Sequence, residues 1–222
     1  MKRFSCLSCT RAGLLAAAAI CLLTACSPAD GLPPAVTAPT RVVALPTTPA
    51  APAETPAETS AAAYVLYELP SPYAADRPHR VDVSELARAK VERVVDGDTL
   101  VVRLDGTRDR LRMLGINAPE SSSNPDLNRQ TPEGDIVSAL VRELLTDRTV
   151  RLEFDESPRD QYGRLLAYVW LDENTMLNEN LVFSGLVKVV KFPPNTAYYD
   201  YFRSLNRAAR ERGLGFYADR WR

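Results

Sequence analysis

Short apolar runs with strand-like alternation begin near residue 88 and predict a β-rich domain in the second part of the chain. Asp96-Gly97 and Asp105-Gly106 separate these runs, and both pairs favour tight turns between antiparallel strands. The pattern therefore predicts a three-stranded meander. Its strands are Val91–Val95, Thr99–Leu104 and Arg110–Ile116.

The alternation gives way to helical spacing after Thr131. Thr131 is a suitable N-cap, and Pro132 fits the first position of a helix, where no backbone N–H is needed. The apolar residues that follow recur at helical spacing and predict a helix that packs on the sheet. They are Ile136, Val137, Leu140, Val141 and Leu144.

Two more strands and two more helices complete the predicted domain. Residues 150–154 alternate between apolar and charged side chains, and residues 165–171 form a second apolar strand. A short helix is predicted around residues 176–183, and a last helix spans about residues 196–212. The inward face of the last helix carries Tyr198, Phe202, Leu205 and Ala209. These elements predict an α+β fold, a five-stranded OB-type β-barrel with about three packed helices.

Arg112 is the unusual residue of the predicted third strand, because aliphatic side chains occupy both faces of that strand. A buried guanidinium cannot lose its proton, so its burial costs several kcal/mol unless a carboxylate or phosphate faces it. Asn117 and Glu120 follow Arg112 within nine positions. An arginine, an amide and a carboxylate so close together indicate a site for a phosphate and for a metal ion.

The first 25 residues have the organisation of an export signal, with basic residues followed by an apolar run that ends in Leu23-Thr24-Ala25-Cys26. This ending resembles the lipobox of bacterial lipoproteins. The resemblance implies cleavage before Cys26 and a lipid on Cys26 that anchors the mature chain to a membrane of the cell envelope. A plain signal peptide with full secretion and an uncleaved membrane helix are the alternatives. The apolar run is shorter than the ~20 residues that a spanning helix needs.

The segment after the signal is rich in Pro, Ala and Thr and shows no lasting apolar period, which predicts an extended tether. Residues 64–87 contain several tyrosines and leucines that could pack on the domain or belong to the tether. The predicted organisation is a signal at 1–25, a tether with an uncertain extension at 26–87, and a domain at 88–222. All four cysteines lie within the first 26 residues, so this domain has no disulfide and no thiolate metal site.

Three polar clusters follow one another at spaced intervals along the predicted domain. They are Asp96-Gly97-Asp98-Thr99, Arg112 with Asn117–Glu120, and Asp160-Gln161-Tyr162-Gly163-Arg164. With these clusters the chain resembles the staphylococcal-nuclease-like, or thermonuclease, family from about Val91 to Asp219. The resemblance implies an OB-fold barrel and calcium-dependent cleavage of phosphodiester bonds in DNA and RNA.

The resemblance also assigns roles to particular residues. It implies three catalytic residues, which are Arg112, Glu120 and Arg164. It implies one calcium ion, held by the side chains of Asp98 and Asn117, by the carbonyl of Ala118 and by water. Tyr162 matches a family tyrosine near the bound phosphate, and Phe192 is a candidate for base stacking.

Asn117 departs from the family pattern, because the best-known member has a carboxylate at this position. An amide oxygen can still bind calcium, but the lost charge should weaken calcium binding or make the site more tolerant of other metals. Ala118 replaces a threonine, which should matter little because only a backbone oxygen is required there. Asp96 is either an outer-shell residue that acts through water or a plain turn residue.

Charge and histidine content restrict the possible mechanisms. The chain has a formal net charge of −1, and basic and acidic residues balance within residues 88–222, so long-range attraction of nucleic acid should be modest. His79, the only histidine of the sequence, precedes the predicted domain, which argues against a histidine-dependent nuclease.

We interpret the chain as a secreted, membrane-tethered, monomeric nuclease that acts on DNA or RNA. One rival is an inactive OB module that binds nucleic acid or a protein partner. Another is a structural envelope lipoprotein, in which the arginines only form salt bridges with Asp98 or Glu120. The enzyme is favoured because both arginines and Glu120 are present.

Overall fold

The structure is a computed structural model, and it describes residues 64–218 together with the backbone of Val42–Val43. The predicted signal peptide, Cys26 and the other residues before Tyr64, apart from Val42–Val43, lie outside the described residues. Within the described ranges, none of the helices has the length and apolar character that crossing a membrane requires.

The described residues form nine strands and four α-helices. The strands are β1 (Val42–Val43), β2 (Leu66–Tyr67), β3 (Ala87–Asp96), β4 (Thr99–Leu104), β5 (Thr107–Met113), β6 (Ile116–Asn117), β7 (Thr149–Glu153), β8 (Leu165–Trp170) and β9 (Lys188–Val189). The helices are α1 (Ser71–Ala74), α2 (Pro132–Leu145), α3 (Leu177–Phe183) and α4 (Tyr199–Glu211). Short 3-10 turns lie at Val83–Glu85 and Gly215–Tyr217.

Five strands close into a barrel in the order β3-β4-β5-β8-β7, and β7 pairs back onto β3. The β5–β8 pair is parallel, and the other four pairs are antiparallel. Helices α2, α3 and α4 accompany the barrel, and the closed barrel with these three helices confirms the predicted α+β OB-type fold. The barrel interior is apolar, with Leu100, Val102 and Leu111 fully buried.

Local sequence signals predicted several boundaries correctly. Asp105 and Gly106 both have positive φ, at 49° and 79°, as a two-residue turn between β4 and β5 requires. Thr131 caps α2, because its Oγ1 accepts a hydrogen bond from the backbone N–H of Gly134 at 3.1 Å. Pro132 is the first residue of that helix.

The predicted third strand is interrupted in the structure. It was predicted to run through residue 116, but β5 ends at Met113 and the chain turns at Gly115, which has φ of 75°. A Cβ at Gly115 would lie 2.8 Å from the ring of Phe202, so this position needs a glycine for both conformation and space. After the turn, β6 leaves the barrel and pairs with β9.

Residues 64–87 pack against α3 and the barrel. The backbone N–H of Tyr67 donates to Oγ of Ser184 at 2.7 Å, and that of Leu69 donates to Oδ1 of Asn180 at 3.1 Å. Arg77 donates to both carboxylate oxygens of Glu179 at 2.7 Å. Of the two possibilities that the sequence left open for these residues, the structure has them packed on the domain.

The Arg77–Glu179 pair gives a test of this packing. The Glu179 side chain is 0% exposed, and burial raises the pKa of Glu179 while Arg77 opposes that shift. Arg77→Ala should lower the free energy of unfolding by about 3–5 kcal/mol, because it leaves a buried carboxylate without its cation. Urea unfolding followed by tryptophan fluorescence measures the change, since the guanidinium of Arg77 lies over the ring of Trp170.

Arg103→Ala is the matched control for this measurement. Arg103 pairs with Glu92 on the surface, and its side chain is 47% exposed, so its loss should cost at most about 1 kcal/mol. If Arg77→Ala destabilises the protein no more than Arg103→Ala, then residues 64–87 do not stabilise the domain through this ion pair.

Candidate active site

A cleft of about 210 Å³ opens beside the turn between β3 and β4. Most of the residues predicted for the site line this cleft. They are Asp98, Arg112, Asn117, Glu120 and Arg164. Asp96, Thr99, Arg110 and the loop residues 123–125 complete its wall.

The structure thus brings together predicted residues from four segments of the chain. Asp98 lies in the β3–β4 turn, Arg112 in β5 and Asn117 in β6, while Glu120 follows β6 directly. Arg164 comes from the residue before β8. Ala118 and Tyr162 lie at the edges of this group, and Cys26 lies outside the described residues.

Arg112 is buried, with 6% of its surface exposed, and its guanidinium is held by one ion pair and two hydrogen bonds. Its Nη2 is 3.0 Å from Oδ2 of Asp98 and 3.0 Å from Oδ1 of Asn117. Its Nη1 donates to the carbonyl of Met113 at 2.7 Å. Asp98 therefore supplies the anion that burial of this arginine requires, and the salt bridge considered from the sequence is present.

Arg112 keeps donors for a further ligand. A guanidinium has five N–H donors, and no described residue accepts a hydrogen bond from its Nε. Among the described residues, no fully buried side-chain nitrogen or oxygen is left without a partner. Arg112 lines the cleft, so the N–H donors that it has left can serve a phosphate oxygen there.

Asp98 is nearly as buried as Arg112, with 7% of its surface exposed. Its Oδ1 accepts from Oγ1 of Thr99 at 2.9 Å, and its Oδ2 accepts from the backbone N–H of Ala118 at 2.8 Å. Burial raises the pKa of Asp98, and the charge of Arg112 opposes this shift. Burial also lowers the pKa of Arg112, against the attraction of Asp98.

The oxygen atoms predicted to bind calcium are neighbours. Oδ2 of Asp98 and Oδ1 of Asn117 both lie 3.0 Å from the same nitrogen of Arg112, and the carbonyl of Ala118 is 3.4 Å from Nδ2 of Asn117. One carboxylate, one amide oxygen and one carbonyl are hard donors of the kind that calcium prefers. The residues fit such an ion, with only one formal negative charge among them. Within residues 64–218, no three acidic, histidine or cysteine side chains form a metal-binding group.

Glu120 is held by the loop that leads to α2, residues 121–130, which we call the α2 loop. Oε2 of Glu120 accepts from Nδ2 of Asn124 at 2.6 Å, and Oε1 pairs with Nη2 of Arg129 at 3.1 Å. The α2 loop is itself fixed, since Nε2 of Gln130 donates to the carbonyl of Asn124 at 2.8 Å. The carboxylate of Glu120 is therefore oriented before any ligand binds.

The start of α2 also fixes the backbone of Glu120. The carbonyl of Glu120 accepts from the backbone N–H of Thr131 at 2.8 Å. A Cβ at Gly134 would lie 2.1 Å from that carbonyl oxygen, so only glycine allows the first turn of α2 to approach so closely. Any larger residue at position 134 would push Glu120 and the helix apart.

Arg164 is positioned by Asp160, four residues earlier. Nε of Arg164 donates to Oδ2 of Asp160 at 2.7 Å, while Oδ1 of Asp160 accepts from the backbone N–H groups of Tyr162 and Arg164, both at 2.9 Å. Although burial works in the opposite direction, these bonds lower the pKa of Asp160. No described residue accepts from either Nη of Arg164, so both remain available to a ligand in the cleft.

Tyr162 lies beside Arg164 and is not among the residues that line the cleft. Its side chain is 76% exposed, and its ring centroid is 5.7 Å from Cζ of Arg164. Asp96 points toward α2, because its Oδ1 accepts from Oγ of Ser138 at 2.9 Å and from the backbone N–H of Gly97. These bonds fix Asp96 in the turn, and because Asp96 also lines the cleft, its role as an outer-shell residue stays a prediction.

Sequence reasoning missed the residues that orient the predicted ones. Asp160 was part of a recognised cluster, and its spacing of four from Arg164 was the available signal. Asn124 and Arg129 lie in the polar α2 loop, where no periodicity or motif pointed to Glu120. Thr99 was recognised only as part of the cluster that contains Asp98.

The side chains of the cleft can bind an anion and hold a water molecule beside it. Two guanidiniums with uncommitted donors face a cleft that also holds an oriented carboxylate, Glu120. Such donors bind a tetrahedral oxyanion through several charge-assisted hydrogen bonds. An oriented carboxylate beside the bound anion can hold a water molecule or accept its proton.

Comparison with known proteins supports the resemblance to the staphylococcal-nuclease-like family. The family model described as staphylococcal nuclease homologue matches residues 110–219. The thermonuclease of Staphylococcus intermedius is 38% identical over 127 residues, which are 57% of this chain and 74% of that protein. The thermonuclease of Staphylococcus hyicus is 40% identical over 122 residues, covering 55% of this chain and 70% of that protein.

A third relative comes from a different genus. The endonuclease YncB of Bacillus subtilis is 36% identical over 146 residues, which are 65% of this chain and 68% of that protein. The match to the family model includes the positions of Arg112, Glu120 and Arg164, and it agrees with the closed five-stranded barrel. The chain belongs to the staphylococcal nuclease, or thermonuclease, family.

Proposed function

We propose that this protein is a metal-dependent nuclease that hydrolyses phosphodiester bonds of DNA or RNA. The proposal is supported by the family, by relatives whose names are thermonuclease and endonuclease, and by the chemistry of the cleft. Calcium is the metal we propose, because the donors near Asp98 are all oxygen atoms.

The observation that carries the proposal is the convergence of Arg112 and Arg164 on one cleft. Burial lowers the pKa of Arg112, and the attraction of Asp98 opposes this shift. The like charge of Arg164 is close enough to lower the pKa of Arg112 as well. Asp98 and Asp160 each pair with one of these arginines, and the donors that both guanidiniums still present to the cleft favour binding of a further anion there. A phosphodiester is the anion that both guanidiniums can bind at once.

In the proposed mechanism, Arg112 binds a non-bridging oxygen of the scissile phosphate and fixes its position. Arg164 donates its free Nη groups to the oxygens that gain negative charge in the transition state. Glu120 orients the attacking water and accepts its proton as the water oxygen bonds to phosphorus, and the α2 loop keeps the carboxylate of Glu120 in place. The P–O bond opposite the attacking oxygen breaks, and the departing oxygen takes a proton from solvent and leaves as a hydroxyl group. A calcium ion bound by Asp98, Asn117 and Ala118 would add positive charge beside the phosphate.

An inactive module that only binds nucleic acid is the second candidate. It uses the same barrel and the same cleft, but it has no need for an oriented carboxylate next to two arginines. The hydrogen bonds from Asn124 and Arg129 to Glu120 therefore favour the enzyme.

Arg164→Ala tests the nuclease. Single-stranded DNA should be cut by the unaltered protein in calcium and left intact when a chelator removes the metal. Arg164→Ala should lower kcat by about 10²–10³-fold, as expected when one donor to the transition state is lost. Release of acid-soluble nucleotides measures the rate, and circular dichroism checks that the variant is folded.

Arg108→Ala is the matched control, since it removes the same charge from the β5 hairpin, where Arg108 pairs with Glu92 at 2.9 Å. Its activity should equal that of the unaltered protein. Absence of cleavage with every divalent metal tried would refute the enzyme, and full activity of Arg164→Ala would remove Arg164 from the mechanism.

Asn117→Asp tests the proposed metal site. The added charge should tighten calcium binding about tenfold, because affinity at oxygen sites rises with the number of charged ligands. Isothermal titration calorimetry measures the dissociation constant independently of activity. Asn128→Asp, which adds the same charge at an exposed position of the α2 loop outside the cleft wall, should change the affinity less. Equal calcium affinity for Asn117→Asp and the unaltered protein would show that residue 117 is not a ligand.

We also propose that the protein is exported and held on a membrane through lipidated Cys26, a prediction that rests on the sequence alone. Cys26→Ala should move the protein from the detergent-extracted membrane fraction to the soluble fraction, because one lipid-bearing residue provides the anchor. Cys21→Ala, a cysteine within the predicted signal, is the control and should leave the distribution unchanged. Membrane fractionation after expression in a bacterial host measures both, and retention of Cys26→Ala on the membrane would contradict the anchor.

A further inference from the structure

The outer surface of β3, β4 and β5 carries many basic side chains. Leu100, Val102 and Leu111 are fully buried inside the barrel, so the residues that alternate with them along β4 and β5 face outward. Five basic side chains and one acidic side chain occupy outward positions where the three strands pair, and all six are exposed. We call this set the β3–β5 face, which consists of Lys90, Glu92, Arg93, Arg103, Arg108 and Arg110.

Arg110 joins the β3–β5 face to the cleft. It lines the cleft and lies two positions before Arg112 on the same side of β5, so the two Cα atoms are about 7 Å apart. Arg93 and Arg110 both pair with Val101, one from each side. Two strand spacings therefore separate the Cα atoms of Arg93 and Arg110, which is about 10 Å. The β3–β5 face thus begins at the cleft and extends away from it across the barrel.

Glu92 is the one carboxylate of the β3–β5 face, and two guanidiniums share it. Its Oε1 accepts a hydrogen bond from Nε of Arg103 at 2.7 Å, and its Oε2 accepts one from Nε of Arg108 at 2.9 Å. One negative charge cannot balance two positive charges at such short range. A positive charge therefore remains even where the face has its only anion.

The other cations of the β3–β5 face have a weak partner or none. Within residues 64–218, neither Arg93 nor Arg110 forms an ion pair or a side-chain hydrogen bond. Nζ of Lys90 is 3.9 Å from Oδ1 of Asp147, but the two side chains are 58% and 80% exposed, so this pair contributes little. The face is therefore strongly positive on a chain whose formal net charge is −1.

The chemistry of the β3–β5 face fits phosphate groups rather than bases. None of its six residues is aromatic, whereas the rings of Tyr162 and Phe192 lie 5.7 Å and 5.3 Å from the guanidinium carbons of Arg164 and Arg112. Cations without aromatic neighbours contact the phosphate backbone and do not read bases. A duplex presents its phosphates outward and keeps its bases stacked inside, so it matches such a surface.

Stiffness also favours a duplex as the ligand of the β3–β5 face. Double-stranded DNA has a persistence length of about 150 base pairs, so a short duplex beside the cleft stays straight and must lie along a surface that adjoins the cleft. The β3–β5 face adjoins the cleft at Arg110 and offers cations there. A single strand is flexible and can leave the cleft in another direction.

We propose that the β3–β5 face binds the phosphate backbone of double-stranded nucleic acid next to the cleft. The inference rests on the proposed nuclease function and names a substrate class for it, a duplex that is opened locally so that one strand reaches Arg112 and Arg164. Lys90 and Arg93 contact phosphates of the paired region, and Arg110 lies where the duplex meets the cleft. An anionic lipid surface carries similar charges, but it has no strand that continues into the cleft.

Arg93→Gln and Lys90→Gln test the β3–β5 face without altering residues that line the cleft. The ligands are a fluorescent DNA hairpin of about 20 base pairs, which is stiff, and an oligothymidylate of about 20 nucleotides, which is flexible. Fluorescence anisotropy in chelator measures binding. Each variant should weaken hairpin binding about 3–10-fold and reduce the slope of log affinity against log salt concentration by about 0.9, because one phosphate contact is lost. Affinity for the single strand should stay within about twofold.

Arg80→Gln is the matched control for both variants. It removes the same charge from an exposed position of residues 64–87, which contribute no side chain to the cleft. Its affinity for both ligands should equal that of the unaltered protein. Thermal unfolding of each variant verifies that these exposed substitutions leave the fold intact.

Three binding results would overturn the inference. They are an unaltered protein that does not bind the hairpin, equal weakening of hairpin and single strand in the variants, and hairpin binding as tight in Arg93→Gln and Lys90→Gln as in Arg80→Gln. Flotation with phosphatidylglycerol vesicles, in the Cys26→Ala background that lacks the proposed lipid, covers the membrane alternative. Weaker vesicle binding of the same variants with unchanged hairpin binding would assign the face to a membrane instead.

Measurement in chelator separates this inference from the nuclease proposal, because binding is observed without cleavage. Selective loss of hairpin affinity in Arg93→Gln and Lys90→Gln supports the β3–β5 face even if the protein cuts no nucleic acid. Active cleavage by the unaltered protein, with no effect of either variant on hairpin binding, refutes the face and leaves the nuclease standing.

Discussion

The buried ion pair between Arg112 and Asp98 is the constraint on which the site depends. Each charge is almost excluded from water, so removing either one would leave the other without compensation inside the barrel wall. The pair joins the β3–β4 turn to β5, and through Asp98 it also holds the backbone of Ala118. The chain after β6 is therefore fixed relative to the barrel, and Glu120 is placed at the cleft by the same contacts. A pair that stabilises the fold also prepares the cleft for an anion.

Local signals in the sequence were sufficient where the backbone depends only on its neighbours. The turn at Asp105-Gly106 depends on two residues with positive φ. The cap at Thr131 depends on a side chain that accepts a hydrogen bond from the backbone N–H three residues later. Both are properties of short segments. The alternation of apolar residues gave the barrel strands for the same reason. It missed the break at Gly115, where the position of Phe202, far along the chain, decides the path.

Contacts between distant segments could not be predicted in the same way. The residues of the site were identified through their resemblance to a family, and the cleft brings most of them together. The residues that orient these side chains were not identified, because the hydrogen bonds from Asn124 and Arg129 to Glu120 depend on the fold of an irregular loop. The packing of residues 64–87 depends on Glu179, Asn180 and Ser184, which lie more than 100 positions away. No short pattern in an extended, Pro-containing segment carries that information.

The attachment of residues 64–87 to α3 has a mechanical consequence. A load applied to the chain before residue 64 enters the domain through Tyr67, Leu69 and Arg77, and it is transferred to α3. Neither α3 nor residues 64–87 contribute a side chain to the cleft. The load therefore reaches the barrel through α3, where Nδ2 of Asn178 donates to the carbonyl of Leu114 at 2.9 Å, and it bypasses the side chains that line the cleft.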